Sequence, residues 1–199
     1  MMEIQATITG MVLAGGRARR MGGGDKGLIE FAGKPLISYA LSALSPIVTQ
    51  VLINANRNHD LYASFGYPVV SDHSADFDGP LSGILSCMEY STSQYLLTVP
   101  CDCPLITERS LARMIGQMKN SDFNCFVASD GDRLHPVFLL LDCDLAESLR
   151  IYLQQGGRKI DTWLYQHRLC EVDFSDQPEI FRNINTPEEL AVLENEYLD

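Results

Sequence analysis

One stretch of the chain combines glycines with cationic side chains in a way that suits binding of a phosphorylated molecule. Residues 13–27 read LAGGRARRMGGGDKG and contain four of the fifteen Lys and Arg residues of the sequence. Glycine has no Cβ atom, so backbone N–H groups can approach an anion closely. Arginine and lysine side chains supply the positive charge that phosphate oxygens need. The stretch therefore predicts a phosphate-binding loop.

This loop matches neither of two common nucleotide-binding signatures. In a Walker A loop the lysine follows a glycine and precedes Ser or Thr, whereas Lys26 follows Asp25 and precedes Gly27. The glycine spacing also departs from G-x-G-x-x-G, which disfavours a dinucleotide-binding fold. A flexible basic surface loop is the alternative interpretation, and the concentration of glycines and cations after a predicted strand speaks against it.

A second candidate for chemistry is Asp102, within the stretch VPCDCPL. It follows a predicted buried strand, and Mg²⁺ prefers oxygen ligands together with substrate phosphates. We therefore predict that Asp102 binds Mg²⁺ opposite the phosphate loop, the alternative being a turn aspartate between two prolines. The flanking Cys101 and Cys103 have no second thiol pair or nearby histidine, so we interpret them as packing residues.

Three more positions stand at the ends of predicted elements. Asn54 ends one predicted strand and Asp72 follows another, where each could contact a base or a ribose. Both residue types are also common in turns. Gly79 begins the stretch GPLSG at the start of a predicted helix, whose N-terminus can bind an anion.

Strands and helices alternate along the predicted chain and must position these residues. Strands are predicted at residues 7–13, 50–54, 67–71, 95–99, 124–129, 136–141 and 169–173. Helices are predicted at 34–44, 61–65, 80–90, 107–119, 144–154, 159–166 and from 186 to about 197. Such alternation implies a mostly parallel sheet with helices on both faces, and ligands bind at the carboxyl ends of its strands. We expect the glycine loop, Asp72 and Asp102 to meet there.

Composition limits the class of protein. A chain of 199 residues with 46% hydrophobic residues suits one domain with a packed core. The net charge of −11 argues against general nucleic-acid binding, which needs clustered basic residues, and the basic side chains concentrate at 17–26 instead. The cysteines are scattered, the first basic residue is Arg17, and no apolar run is long enough to cross a membrane. We therefore expect a cytoplasmic protein without a membrane partner.

With these motifs in view, the sequence resembles the molybdenum cofactor guanylyltransferases, the MobA family of nucleotidyltransferases. The resemblance rests on LAGGRARRMGGGDK, GPLSG, PCDCP and NINTPEEL, in that order and across nearly the whole chain. It implies a Rossmann-like three-layer α/β fold in one domain over residues 1–199, with a nucleotide-binding N-terminal part and a C-terminal part facing a pterin substrate. The implied reaction is transfer of GMP from GTP to the terminal phosphate of molybdenum-bound molybdopterin, with Mg²⁺ and release of pyrophosphate.

The resemblance also implies roles for individual residues. Those implied to contact the nucleotide are Leu13, Ala14, Gly15, Lys26, Asn54, Asp72 and Asp102. Those implied to act in catalysis are Asp102, which would also bind Mg²⁺, Lys26 and Arg20. Those implied on the pterin side are Gly79, Asn183 and Asn185. Proteins of molybdopterin synthesis and acceptor molybdoenzymes are the implied protein partners. This sequence departs from the pattern of the family at Cys103, where many relatives carry Thr or another small residue.

Other functions remain open at this point. A related nucleotidyltransferase that activates a sugar phosphate, or that uses CTP, shares the glycine-rich loop. A nucleotide-binding regulatory protein without catalysis is disfavoured because both Lys26 and Asp102 are present. A thiol redox protein would use Cys101 and Cys103.

Overall fold

The computed structural model describes residues 7–15, 23–73, 79–119 and 122–198. Its strands are β1 (Ile8–Leu13), β2 (Glu30–Phe31), β3 (Lys34–Pro35), β4 (Gln50–Asn54), β5 (Val69–Val70), β6 (Tyr95–Pro100), β7 (Cys125–Ser129), β8 (Leu134–Asp142) and β9 (Leu169–Asp173). Its α-helices are α1 (Leu36–Leu44), α2 (His59–Ala63), α3 (Pro80–Tyr90), α4 (Glu108–Gly116), α5 (Ala146–Gln154), α6 (Ile160–Leu164) and α7 (Pro187–Leu198).

Within these residues, seven strands form one sheet in the order β5-β4-β1-β6-β8-β7-β9. All neighbouring pairs are parallel except the two that involve β8. Strand β8 runs in the opposite direction because a tight turn joins it to β7, closed by a hydrogen bond from Asp130 N to Arg133 O of 3.2 Å. Gly131 has a φ of +94° in this turn. The expected mostly parallel α/β sheet is confirmed.

Helices cover the sheet on both faces. On one face α1 and α4 pack against strand residues such as Val12 and Leu97. On the other face α3, α5 and α6 pack against residues such as Met11 and Leu96. Successive side chains of a strand point to opposite faces, so neighbouring residues enter different halves of the core. This is why the central strands β1, β4 and β6 are mostly apolar on both faces.

Several element boundaries agree with the sequence-based expectations. Helix α3 and strand β9 have the predicted limits. Thr107 caps α4 by accepting a hydrogen bond of 3.2 Å from the backbone N–H of Ser110. At the start of α7, Thr186 and Glu189 form a capping box through reciprocal hydrogen bonds, each 3.2 Å.

The start of α1 corrects one expectation. Lys34 and Pro35 were expected to open this helix, but they form β3, which pairs antiparallel with β2. Ala32 and Gly33 connect the two short strands and both have positive φ angles, +47° and +75°. Two consecutive positive φ angles are the signature of a tight hairpin turn, so the chain reverses there before helix α1 begins.

Other differences concern element length. The strand expected at 67–71 is limited to β5, and the helix expected at 159–166 is limited to α6. The helix expected at 61–65 begins two residues earlier as α2. In the described parts of the chain, no helix combines the length and apolar character needed to cross a bilayer.

Candidate active site

The carboxyl ends of three adjacent strands bring the expected site residues to one edge of the sheet. Leu13 at the end of β1 pairs with Asn54 of β4 on one side and with Pro100 of β6 on the other. Beyond the strands, Ala14 N donates to Asn54 O at 2.9 Å and Cys101 N donates to Leu13 O at 3.1 Å. The start of the glycine loop, Asn54 and the PCDC stretch therefore lie side by side, as parallel-strand topology predicts.

Three of the expected residues meet in one cluster at this edge. The Lys26 ammonium forms an ion pair with Asp102 Oδ2 and donates a hydrogen bond of 2.6 Å to Asn185 Oδ1. The side chains of Lys26 and Asp102 are 14% and 15% exposed, so the pair is accessible to a ligand but not surrounded by water. Ile184 N donates to Asp102 O at 3.0 Å, which holds the segment carrying Asn185 against the PCDC stretch. An ammonium has three N–H donors, and described residues use two of them.

The donor set at Asp102 fits a magnesium ion that arrives with a triphosphate. Its Oδ1 atom receives only a weak contact from the Cys103 thiol, at 3.7 Å. Among the residues that the structure describes, no group of three or more His, Cys, Asp or Glu side chains is arranged to hold a metal. Mg²⁺ is commonly held by one or two carboxylates with substrate phosphates completing its shell. Asp102 can supply one such carboxylate.

The thiols beside Asp102 are buried and poorly suited to binding Mg²⁺. Burial raises the pKa of both Cys101 and Cys103 well above the usual value, and the nearby Asp102 carboxylate adds to the shift. Both thiols therefore stay protonated, and a protonated thiol is a poor ligand for Mg²⁺. Both side chains belong to the core, which agrees with the interpretation as packing residues.

On the other side of β1, Asn54 holds Asp72. The Asn54 amide donates to Asp72 Oδ1 at 2.9 Å and to Val70 O at 3.1 Å. Asn54 is only 4% exposed, whereas Asp72 is half-buried at the sheet edge. Both amide hydrogens of Asn54 are thus used within the protein, so the more accessible group toward a ligand is the Asp72 carboxylate.

The packing of α3 against Asn54 depends on Gly83. A Cβ atom at Gly83 would lie 2.7 Å from Asn54 Cγ, closer than real Cβ contacts occur. We expect Gly83→Ala to push the Asn54 amide off Asp72, to lower the free energy of unfolding by about 1–3 kcal/mol and to weaken GTP binding. Thermal unfolding and equilibrium GTP binding measure the two effects.

The matched control for this substitution is Gly116→Ala. Gly116 is also helical, and a Cβ there has no neighbour within 4 Å. Its replacement should leave both quantities unchanged or raise stability slightly. Wild-type GTP affinity in Gly83→Ala would contradict a role of the Asn54–Asp72 contact.

The remaining expected residues are placed as follows. Gly15 has room for a Cβ, the nearest atom being Asn56 Nδ2 at 3.8 Å, so no described neighbour requires glycine there. Gly79 has a φ of +118° immediately before α3. Asn183 is exposed and lines a cleft of about 440 Å³ next to the Lys26 cluster, together with Arg133 and others. Arg20 lies outside the described residues. The functional roles of all these residues stay predictions.

The side chain of His135 is buried beside this cleft. The His135 ring stacks on Phe181, with centroids 3.8 Å apart and planes 9° apart, and Nε2 lies 2.7 Å from Asp130 Oδ2. Burial lowers the pKa of His135, partly opposed by the Asp130 carboxylate. Hydrogen bonds from the Arg133 backbone and from His135 lower the pKa of Asp130. The pair fixes Phe181 below the segment that leads to Asn185.

Sequence reasoning also missed a second set of residues around the glycine loop. Asp25 is buried, with Arg57 and Asn58 paired to its carboxylate, and neither of these two was expected at the site. The signal that could have found them is the polar run NANRN, which begins at Asn54, the last residue of β4, at the same edge of the sheet as the loop.

A family model, two relatives and a solved structure are all similar to this chain. The family described as MobA-like NTP transferase domain matches residues 10–169. A "Molybdenum cofactor guanylyltransferase" from Shewanella sediminis is 48% identical over 186 residues, covering 94% of this chain and 95% of the relative. One of the same name from Shewanella piezotolerans is 46% identical over 187 residues, covering 94% and 92%. The crystal structure of molybdopterin-guanine dinucleotide biosynthesis protein A from Archaeoglobus fulgidus has the same fold, with a TM-score of 0.81, 22% identity and coverage of 96% and 98%.

Proposed function

The chain belongs to the MobA-like NTP transferase domain family, and we propose that it transfers GMP from GTP to the terminal phosphate of molybdenum-bound molybdopterin. The products are the guanine dinucleotide form of the cofactor and pyrophosphate. The observation that carries this proposal is the cluster of Lys26, Asp102 and Asn185 at the carboxyl ends of β1 and β6. It supplies a cation and a carboxylate at the edge where α/β sheets bind ligands.

The chemistry needs no protein nucleophile. A terminal phosphate oxygen of molybdopterin attacks the α-phosphorus of GTP, a new P–O bond forms, and the bond to the β-phosphate breaks as pyrophosphate leaves. Both reactants are anions, so the protein must align them and neutralise their charge. The Lys26 ammonium is suited to this because Asp102 and Asn185 hold it in one place before GTP arrives.

Asp102 is the residue that would hold Mg²⁺, which we include in the proposal as the cofactor. The ion supplies positive charge that polarises phosphate oxygens. Asp72 presents carboxylate oxygens that can accept hydrogen bonds from guanine N–H groups or ribose hydroxyls. Asn183, Asn185 and Gly79 are proposed on the pterin side.

The domain organisation, the location in the cell and the protein partners are part of the same proposal. We take residues 1–199 as one nucleotidyltransferase domain that works in the cytoplasm. Its proposed protein partners are those that make molybdopterin and the molybdoenzymes that accept the finished cofactor.

A direct assay tests the function. Purified protein is incubated with molybdenum-bound molybdopterin and each of GTP, CTP, ATP and UTP, and both pyrophosphate and the dinucleotide product are measured. We expect turnover with GTP alone, loss of turnover on chelation of divalent metal, and recovery when Mg²⁺ is added back. Hexose 1-phosphates as acceptors test the alternative. Turnover with a sugar phosphate, or with CTP in preference to GTP, would contradict the proposal.

A further inference from the structure

The segment that follows β4 and includes most of α2 contacts the glycine loop at both of its described ends. We call residues 56–62 the clasp. The loop starts at Ala14 and Gly15 and ends at Gly24 and Asp25, directly before Lys26. The clasp lies against this loop because β4 and β1 are parallel neighbours whose carboxyl ends coincide.

At the end of the loop, the clasp binds a buried carboxylate. The Asp25 side chain is 1% exposed and forms an ion pair with Arg57 Nε. Asn58 Nδ2 donates to Asp25 Oδ2 at 2.7 Å, and Arg57 Nη2 donates to Gly24 O at 3.1 Å. A buried charge is destabilising unless it is paired and hydrogen-bonded. Arg57 and Asn58 together therefore determine where the backbone before Lys26 lies.

At the start of the loop, the contact from the clasp is made by the uncharged phenol of Tyr62. The Tyr62 hydroxyl donates to Ala14 O at 3.3 Å, and burial raises the pKa of Tyr62, so it remains a donor. A Cβ at Gly27 would lie 3.1 Å from the same hydroxyl, so Tyr62 also packs against the backbone just after Lys26. One side chain thus contacts both the start of the loop and the backbone just after Lys26.

The clasp also contacts Asp72, on the other side of the site from Lys26. Asn56 Oδ1 accepts a hydrogen bond of 2.8 Å from Asp72 N. Residues 56–62 therefore connect the end of the loop that carries Lys26 with the carboxylate that we assign to guanosine. A change at Arg57 can alter the relative position of these two groups without touching either.

We propose that Arg57 is a positioning residue for nucleotide binding and GMP transfer, acting through Asp25 and Gly24 on Lys26. The proposal rests on the function proposed above, in which Lys26 contacts the phosphates of GTP. Arginine suits this position because its planar guanidinium forms an ion pair with the Asp25 carboxylate through Nε and donates to the Gly24 carbonyl through Nη2, whereas a lysine ammonium on a flexible stem does not reproduce that geometry. Arg57 lies in direct contact with the loop, yet its side chain is 36% exposed.

The test compares Arg57→Met and Arg57→Lys with the wild-type protein. The measurements are thermal unfolding, the Kd of GTP with Mg²⁺ in the absence of molybdopterin, and kcat with the KM of each substrate. For Arg57→Met we expect kcat/KM for GTP to fall on the order of 100-fold, as for other small displacements of a catalytic group. The KM for molybdopterin should not change, since the described contacts of the clasp are with the glycine loop and with Asp72, on the nucleotide side.

The Arg57→Lys variant distinguishes an effect on GTP binding from an effect on the stability of the fold. It keeps a positive charge near Asp25, so we expect its melting temperature to stay close to that of the wild type. It loses one charge-assisted hydrogen bond, so we expect the Kd of GTP to rise about tenfold. A purely structural arginine would give wild-type GTP affinity in this variant, and that result would overturn the proposal even if Arg57→Met does not fold.

Arg113→Met is the matched control. Arg113 also pairs with an aspartate, Asp176, and also donates to a backbone carbonyl, Asp173 O at 2.9 Å, but it lies on α4 away from the loop. It should leave the Kd of GTP and kcat unchanged. A wild-type protein that binds GTP but does not transfer GMP would contradict the proposed function, while the Kd values of the Arg57 variants would still decide this inference.

Discussion

Asp102→Asn is expected to lower kcat for GMP transfer by about 10³-fold or more, the range found when a group that stabilises transition-state charge is removed. Asparagine has nearly the same shape as aspartate, so the core contacts of the PCDC stretch are retained. The negative charge that pairs with Lys26 and that would hold Mg²⁺ is lost. Asp102→Ala should abolish turnover for the same reason while largely preserving the fold.

The measurement is single-turnover formation of the dinucleotide at saturating GTP, together with the melting temperature. Glu171→Gln is a suitable control because Glu171 is an exposed carboxylate on the edge strand β9, far along the sheet from Asp102. The control should retain wild-type kcat. Full activity in Asp102→Ala would refute the assignment of the active site.

Lys26→Met is expected to lower kcat/KM for GTP by about 10²- to 10³-fold. The ammonium that neutralises phosphate charge disappears, and the Asp102 carboxylate is left without its partner beside an anionic substrate. The effect should be visible both in GTP affinity and in kcat. Lys119→Met, at an exposed lysine just after α4, is the control and should behave as wild type.

The two predictions can be combined in one experiment. Residues that act as a unit give non-additive losses, so Lys26→Met in the Asp102→Asn background should cost much less than it does alone. Additive losses in the double variant would mean that the contact between Lys26 and Asp102 has no functional consequence.

The fold was largely predictable because its signals are local. Period-two and helical patterns of apolar residues, Thr107 at a helix start and the Thr186 capping box lie within windows of a few residues. The hairpin of β2 and β3 was not predicted. Its turn places Ala32 at a positive φ, a conformation that is uncommon for alanine and that the residue type does not indicate. The reversal of β8 follows from the turn between Asp130 and Arg133, and the strand order was not predicted from the sequence.

The glycine-rich loop, Asp102 and their position at strand ends could be read from the amino-acid sequence alone, since these features depend only on residue type and on the order of elements. The contacts of Lys26 with Asn185 and of Asp25 with Arg57 could not, because they join residues 159 and about 30 positions apart in the chain. Such pairs depend on which strands become neighbours and in which register, and that is decided by packing of the whole sheet. The described ends of the loop, which the sequence indicated as a site for phosphate, thus contact side chains that only the tertiary structure brings to them.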